Sequence, residues 1–322
     1  MASTTPAYSF LQSQPIFEAD FQECSYGYRP KRDAKMASLA IRDDLYRGAW
    51  GVVEIDLKRY FTSIPHDKLL VLIQERVVDG SMLKLIKQSL KVGVAYAGKI
   101  EPTRVGVPQG SPIAPLYSNI YLNLLDRVWQ SRGYPQQLGA TMHRYADDVI
   151  LVCRGNAQQA LQAFEAIAQR MELSLNREKT RITRLADGFD FIGFHFVKRR
   201  SGRSGKPTIY IQPSQTAQQR IRQKIRQITS RRAPISPNEW LQRISLMVRG
   251  WVNYYRHTSA SQAFRRLQHF INTRFRRYLS YRSKRRGFGW DRYPDWKLYA
   301  MGMIYIASGL IKYENRTVNA LR

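Results

Sequence analysis

Three carboxylates have the type and placement to do chemistry. Asp56 ends the apolar-rich segment Trp50–Asp56, and Asp147 and Asp148 are adjacent in Tyr145-Ala146-Asp147-Asp148. Adjacent carboxylates repel each other, and a divalent cation relieves that cost through hard oxygen ligands. Two neighbouring strands would bring Asp56 beside Asp147. Together the three would hold two Mg²⁺ ions, the arrangement that clamps both oxygens of an in-line phosphoryl transfer. Taken alone, Asp147-Asp148 reads more simply as a solvated acidic turn, and Asp56 alone more simply still.

The positioning elements follow from hydrophobic periodicity. Trp50–Asp56 reads as a short strand, and Met142–Cys153 as two strands about the turn at Ala146-Asp147-Asp148. Helical spacing covers Lys68–Val78, Ser81–Leu90, Ser111–Arg132 and Ala157–Met171, while Phe189–Val197 and Thr208–Ile211 are strand-like. Beyond them the chain turns helical. Thr216–Thr229 places Ile221, Ile225 and Ile228 on one stripe, and Ser236-Pro237-Asn238-Glu239 is a capping-box pattern that opens a helix to about Arg256. Ala260–Arg282 repeats apolar residues at helical spacing. The fold class is α+β, followed by a helical bundle.

Charge divides the 322 residues unevenly. Residues 1–197 hold 24 basic and 20 acidic side chains, and residues 198–322 hold 28 basic and 4 acidic ones. The net +28 repels itself unless something negative covers it, and nucleic acid is the usual polyanion. The junction Val197–Thr208, rich in Gly, Ser and Lys/Arg, reads as a domain boundary or as a hairpin tip beside one. The 43% hydrophobic content fits a globular protein, and no apolar run of about 18 residues supports a membrane span. Residues 1–14 lack the basic start and apolar stretch of a secretory signal, so the expected compartment is the cytoplasm. Cys24 and Cys153 are too few for a disulfide framework or a four-ligand zinc site. The five histidines form no metal-spaced pair.

Several segments in order change the weight of the acidic residues. They are Asp56-Leu57-Lys58-Arg59-Tyr60-Phe61, Gly106-Val107-Pro108-Gln109-Gly110-Ser111-Pro112, Leu116-Tyr117-Ser118-Asn119, Tyr145-Ala146-Asp147-Asp148, Leu175-Asn176-Arg177-Glu178-Lys179-Thr180 and Phe191-Ile192-Gly193-Phe194. The set resembles the reverse transcriptases, most closely those encoded by bacterial group II introns. Gly250-Trp251-Val252-Asn253-Tyr254-Tyr255-Arg256 resembles the maturase-specific segment that forms the thumb in that family. The resemblance runs from about Pro15 to Tyr313.

The resemblance implies a right-handed polymerase palm over residues 15–197 with partial fingers, a basic helical thumb over 198–322, and a non-family segment at 1–14. Asp56, Asp147 and Asp148 would be the catalytic metal ligands for two Mg²⁺ ions. Phe61 matches the bulky residue that excludes a ribose 2′-OH, with simple core packing as the plain alternative. Gln109 matches a residue touching the incoming nucleotide. Lys179 matches a lysine beside the leaving pyrophosphate, with a solvated lysine as its alternative. Tyr145 would lie under the primer terminus, and Phe191 and Gly193 belong to the segment resembling the primer grip. Arg274, Arg276 and Arg277 would contact template–primer phosphates. The implied activity is RNA-directed DNA synthesis, and the implied partners are a structured intron RNA and a template–primer duplex, with no membrane.

The front end departs from the family pattern. Relatives carry basic fingers residues before the Pro15–Phe21 segment, and residues 1–14 here contain no Lys or Arg. Arg29, Lys31, Arg32 and Lys35 are candidates to replace them in part. The alternative function is a maturase-like RNA-binding or splicing factor that lacks polymerase activity. No Cys/His nuclease module follows the thumb segment, so target-site cleavage is not expected.

Overall fold

The computed structural model describes residues 14–91, 95–96, 99–100, 104–107, 110–202, 204–229, 234–283, 287 and 289–307. The chain forms two compact units, residues 1–192 and 193–322. This division falls five residues before the one drawn from charge, because Val197–Thr208 lies within a hairpin and its tip.

In the first unit, four strands form an antiparallel sheet in the order β2-β3-β1-β4. The strands are β1 (Gly51–Asp56), β2 (Ala140–Tyr145), β3 (Asp148–Cys153) and β4 (Arg181–Arg184). The helices are α1 (Ala34–Tyr46), α2 (His66–Gln74), α3 (Gly80–Lys91), α4 (Ala114–Ser131) and α5 (Ala157–Arg170). The three-residue strand β5 (Phe189–Phe191) ends the unit. Helix α1 has no counterpart in the periodicity reading. Asp33 caps it, accepting from the Met36 N–H at 2.7 Å. The central strands are buried on both faces and so lack the alternation of a half-exposed sheet: Val149–Cys153 is continuously buried. Trp129, Tyr117, Tyr121 and Phe164 complete this core at 0% exposure. Burying such aromatic bodies contributes roughly 2–3 kcal/mol each.

That core contains a buried charge. The Arg144 side chain is wholly unexposed and ion-paired to equally unexposed Asp126 at 2.5 Å. Its Nε donates to both Asp126 oxygens at 3.0 Å, and its Nη1 donates to Asn119 Oδ1 at 2.9 Å and to the Ala146 carbonyl at 3.0 Å. Asn119 Nδ2 donates onward to the Gly27 carbonyl at 2.9 Å. A side chain on residue 27 would put its Cβ 2.3 Å from the Ala146 nitrogen, so only glycine fits there.

The second unit opens with a hairpin of β6 (Phe194–Arg200) and β7 (Pro207–Pro213), then helices α6 (Gln215–Ile228), α7 (Pro237–Tyr255), α8 (Ser261–Arg282) and the short α9 (Asp295–Ala300). Ser214 and Ser236 cap α6 and α7, accepting from the N–H of Ala217 at 3.1 Å and of Glu239 at 3.2 Å. The capping serine read from sequence is therefore in place, while Glu239 turns to Arg243. Trp240 packs on Phe275 with ring centroids 4.7 Å apart, and Phe194 stacks on Tyr254 at 5.0 Å. Among the described residues no helix is long and apolar enough to cross a membrane.

Removing one member of a buried ion pair leaves the other charged and unsolvated, at a cost of about 3–5 kcal/mol. Asp126→Ala is therefore expected to lower the unfolding free energy of the first unit by an amount of that size, read as a fall in the urea midpoint at unchanged slope. Asp126→Asn, which keeps one acceptor for Arg144, is expected to cost less. Equal stability of Asp126→Ala and the parent in urea unfolding would refute this role.

Candidate active site

Strand register decides the geometry. Strands β1 and β3 run antiparallel with Asp56 directly opposite Asp148. Directly opposed residues share a face of the sheet, so these two carboxylates face the same side. Strands β2 and β3 pair Tyr145 with Asp148, which leaves Ala146 and Asp147 as a two-residue turn. The expectation of Asp56 beside Asp147 is thereby refined. Asp148 is the cross-strand partner, and Asp147 is held at the turn beside them. Ala146 turns at φ 57°, a left-handed conformation that costs a non-glycine residue of order 1 kcal/mol or more. The carbonyl contact from buried Arg144 and the close packing of Gly27 hold it there.

The far end of β1 is fixed by a segment more than a hundred residues away. The Asn176 N–H donates to the Asp56 carbonyl at 2.8 Å, and the Lys58 N–H donates to the Ser174 carbonyl at 2.8 Å. The Asp56 N–H donates to Thr180 Oγ1 at 3.4 Å. These bonds carry Lys179 to the carboxylates, with its Nζ 3.8 Å from Asp56 Oδ2. Both side chains stay solvent-accessible, so the pair itself contributes little to stability.

A cleft of about 170 Å³ opens at this edge, lined in part by Asp56, Asp148, Lys179, Asp190 and Phe191. Two further carboxylates that the motif reading passed over line it: Glu54, which is held by Arg181, and Asp190, one residue before Phe191. Ile192 follows at φ 42°, a strained value for a β-branched residue, and Gly193 at φ 85°.

The electrostatics match a crowded acidic site. Partial burial pushes the Asp148 carboxyl up to about 6, and the charges of Asp147 and Asp56 add to the effect. Asp147 is also raised, first by burial and then by Asp56, while its own backbone N–H and Arg144 pull it back. Three oxygen-donor side chains suit hard divalent cations rather than zinc or copper. Among the described residues no three His, Cys, Asp or Glu side chains form a preformed metal cage, so the fit rests on donor chemistry and on this unrelieved negative charge.

Other expected site residues divide. Tyr145 is half-buried at the end of β2, and burial raises its phenol. Phe61 sits on the single helical turn Tyr60–Ser63 just after β1, edge-on to Tyr60 at 5.5 Å and packed against the core. Gln109 lies outside the described residues, as do residues 1–13. Arg276 corrects the expectation of a phosphate contact. It is 2% exposed, ion-paired to Asp295, with its guanidinium 4.0 Å from the Trp290 ring centroid. A guanidinium so enclosed holds α9 onto α8 and has no face left for a ligand. Arg274 donates to the Thr229 carbonyl and hydroxyl at 2.5 and 2.7 Å, closing the end of α6, while Arg277 is exposed. Arg29 is likewise consumed, buried against Glu18 and the carbonyls of Gln22 and Ser25. Lys31 and Lys35 remain exposed.

An acidic hairpin turn paired with an acidic strand end, on an antiparallel sheet flanked by helices, is the architecture of a nucleotidyl-transfer palm. Comparison with known proteins places it further. Residues 9–196 match the family model described as Reverse transcriptase (RNA-dependent DNA polymerase), and residues 218–296 match the Group II intron, maturase-specific domain. The chain belongs to the reverse transcriptase family. It is 30% identical over 227 residues to Protein YkfC of Escherichia coli K12, covering 59% of each chain. It is 28% identical over 259 residues to Group II intron-encoded protein LtrA of Lactococcus lactis subsp. cremoris, covering 60% of this chain and 43% of LtrA. The chain thus spans about three-fifths or less of the length of these curated relatives. Telomerase from Candida albicans, solved with a TWJ fragment of telomeric RNA, superposes with a TM-score of 0.50 at 11% identity, covering 85% of this chain and 51% of that one. At that identity the likeness is one of fold.

The raised Asp148 sets a sign for pH dependence. A carboxyl whose folded value exceeds its unfolded value makes the folded state less stable as pH rises through the interval between them. Asp148→Asn is therefore expected to raise the melting temperature of the cation-free protein at pH 8, with the gain shrinking as pH falls from about 6 toward about 4. In the parent, stabilisation by added Mn²⁺ or Mg²⁺ is expected to fade over the same interval as protons displace the cation. Thermal melts of parent and variant across pH check both statements; a constant offset between the two proteins would contradict them.

Proposed function

We propose that this chain is an RNA-directed DNA polymerase of the group II intron type, extending a primer 3′-OH with deoxynucleotides on an RNA template. The observation that carries the reading is the register that sets Asp56 opposite Asp148 with Asp147 at the adjoining turn. Family membership and the maturase-specific match support it.

In this reading Asp56, Asp147 and Asp148 hold divalent cations, with Mg²⁺ the natural choice for a carboxylate and phosphate site. When bound, such cations supply charge neutralisation at the attacking and leaving oxygens. The chain's own residues do the rest. The backbone bonds from Asn176 and Thr180 fix the end of β1, and the Arg144 network fixes the acidic turn, so the carboxylates are preorganised. The primer hydroxyl attacks the α-phosphate, the α–β phosphoanhydride bond breaks, and pyrophosphate leaves. Lys179 adds a positive charge beside Asp56, where it neutralises or protonates the departing pyrophosphate. Phe61, just past β1, acts as the wall against a ribose 2′-OH. Tyr145 and Phe191 border the primer terminus, and Gln109 contacts the nucleotide. The basic second unit binds structured intron RNA.

Primer extension on an annealed RNA template with a DNA primer, Mg²⁺ and four deoxynucleotides tests the reading. Asp148→Asn and Asp56→Asn are each expected to lose about a hundredfold or more of the extension rate, with RNA affinity nearly unchanged. Phe61→Ala is expected to admit ribonucleotides. Tight RNA binding by a parent that does not extend primers would instead support a maturase-like RNA-binding factor, a reading favoured by the 28 basic and 4 acidic residues of 198–322.

A further inference from the structure

The second unit gathers arginines around one exposed cleft. Helices α6 and α8 pack side by side, and a cleft of about 530 Å³ opens over them, lined by Arg222, Arg265, Arg266, His269, Phe270 and Thr273. The ring of Phe270 gathers three cations. The guanidinium carbons of Arg222, Arg226 and Arg274 stand 5.9, 5.4 and 6.0 Å from its centroid. Each contact is attractive, but three like charges about one ring repel one another within a Debye length of about 10 Å.

No carboxylate lines the cleft to offset that repulsion. The described acids of this unit include Glu239, committed to Arg243, and Asp295, committed to Arg276. Thr273 adds a second, independent sign. Its Oγ1 is buried at the cleft and has no hydrogen-bond partner. A buried hydroxyl without a partner is unfavourable, and a ligand oxygen would satisfy it.

We propose that this cleft is a binding site for the phosphodiester backbone of RNA. The proposal rests on the RNA-binding reading above and localises it. The Phe270 ring holds the Arg222 guanidinium beside the cleft in advance, so less side-chain freedom is lost when an anion arrives. Arg222, Arg265 and Arg266 present their N–H forks to non-bridging phosphate oxygens, which planar guanidinium groups recognise in pairs. The Thr273 hydroxyl donates to a phosphate oxygen or exchanges with a ribose 2′-OH. The site differs from the arginines that motif reading selected, since Arg276 is enclosed and Arg274 serves the end of α6.

The test compares two charge-matched triple variants of the full chain. One is Arg222→Gln, Arg265→Gln and Arg266→Gln; the other, away from the cleft, is Arg199→Gln, Arg200→Gln and Lys224→Gln. Affinity for a fluorescein-labelled RNA hairpin with a single-stranded tail is read by anisotropy over a series of KCl concentrations, with thermal melts confirming the fold. The cleft triple is expected to reduce the slope of log K against log salt by about two units and to weaken binding by about ten- to a hundredfold. The outer triple is expected to do much less. Thr273→Val is expected to weaken binding a few-fold with the salt slope unchanged. Equal losses from the two triples would overturn the cleft and leave a diffuse basic surface, with RNA binding intact. Competition by millimolar tripolyphosphate that spares the outer-surface binding but matches RNA at the cleft would reassign the cleft to free polyphosphate. Absence of RNA binding in the parent would overturn the RNA reading itself.

Discussion

Arg144 carries a positive charge with none of its side chain exposed, and the acidic turn two residues later depends on where that charge is held. An isolated guanidinium in such a place would be very costly, so it persists only because Asp126 neutralises it and Asn119 and the Ala146 carbonyl take its remaining N–H groups. The consequence is positional. Ala146 is held in a left-handed conformation, Asp147 is set at the tip, and Asp148 begins β3 opposite Asp56. Gly27 closes the arrangement from the other side, where any Cβ would strike the backbone of the turn. A chain of contacts from α4, through β2, to the loop before α1 therefore converges on one peptide unit.

The two units divide the electrostatic work. In the first, like charges are crowded at the ends of the central strands, and burial makes their repulsion felt in the raised carboxyls of Asp147 and Asp148. In the second, excess cations gather about an aromatic ring without matching acids. Both are arrangements that a stable fold alone would avoid, because each costs free energy until an opposite charge arrives. The first suits small hard cations and a nucleotide's phosphates. The second suits a polyanion with many phosphates.

Arginines show why composition is a weak guide to which side chain meets a ligand. Arg276, Arg274 and Arg277 lie within four residues of one helix and look equivalent in sequence. One is enclosed against Asp295 and Trp290, one closes the end of α6, and one is exposed. Helical periodicity puts them on different faces, and only the packing of α9 and the end of α6 decides which faces are covered.

The order of motifs along the chain determined the family, and periodicity the helical nature of the second unit, because each rests on residue type and local spacing. Strands β1, β2 and β3, the Ser236 cap and helices α4 to α8 were likewise legible, since hydrophobic period and capping chemistry act over a few residues. The tertiary structure decided what depends on distant pairing. It chose Asp148 rather than Asp147 as the partner of Asp56, brought Lys179 and Asp190 to the same cleft, and buried Arg144, Arg29 and Arg276 that composition would leave in solvent. Register is set by pairing between strands far apart in sequence and burial by the packing around each side chain, and no local pattern encodes which of several equivalent side chains those contacts will cover.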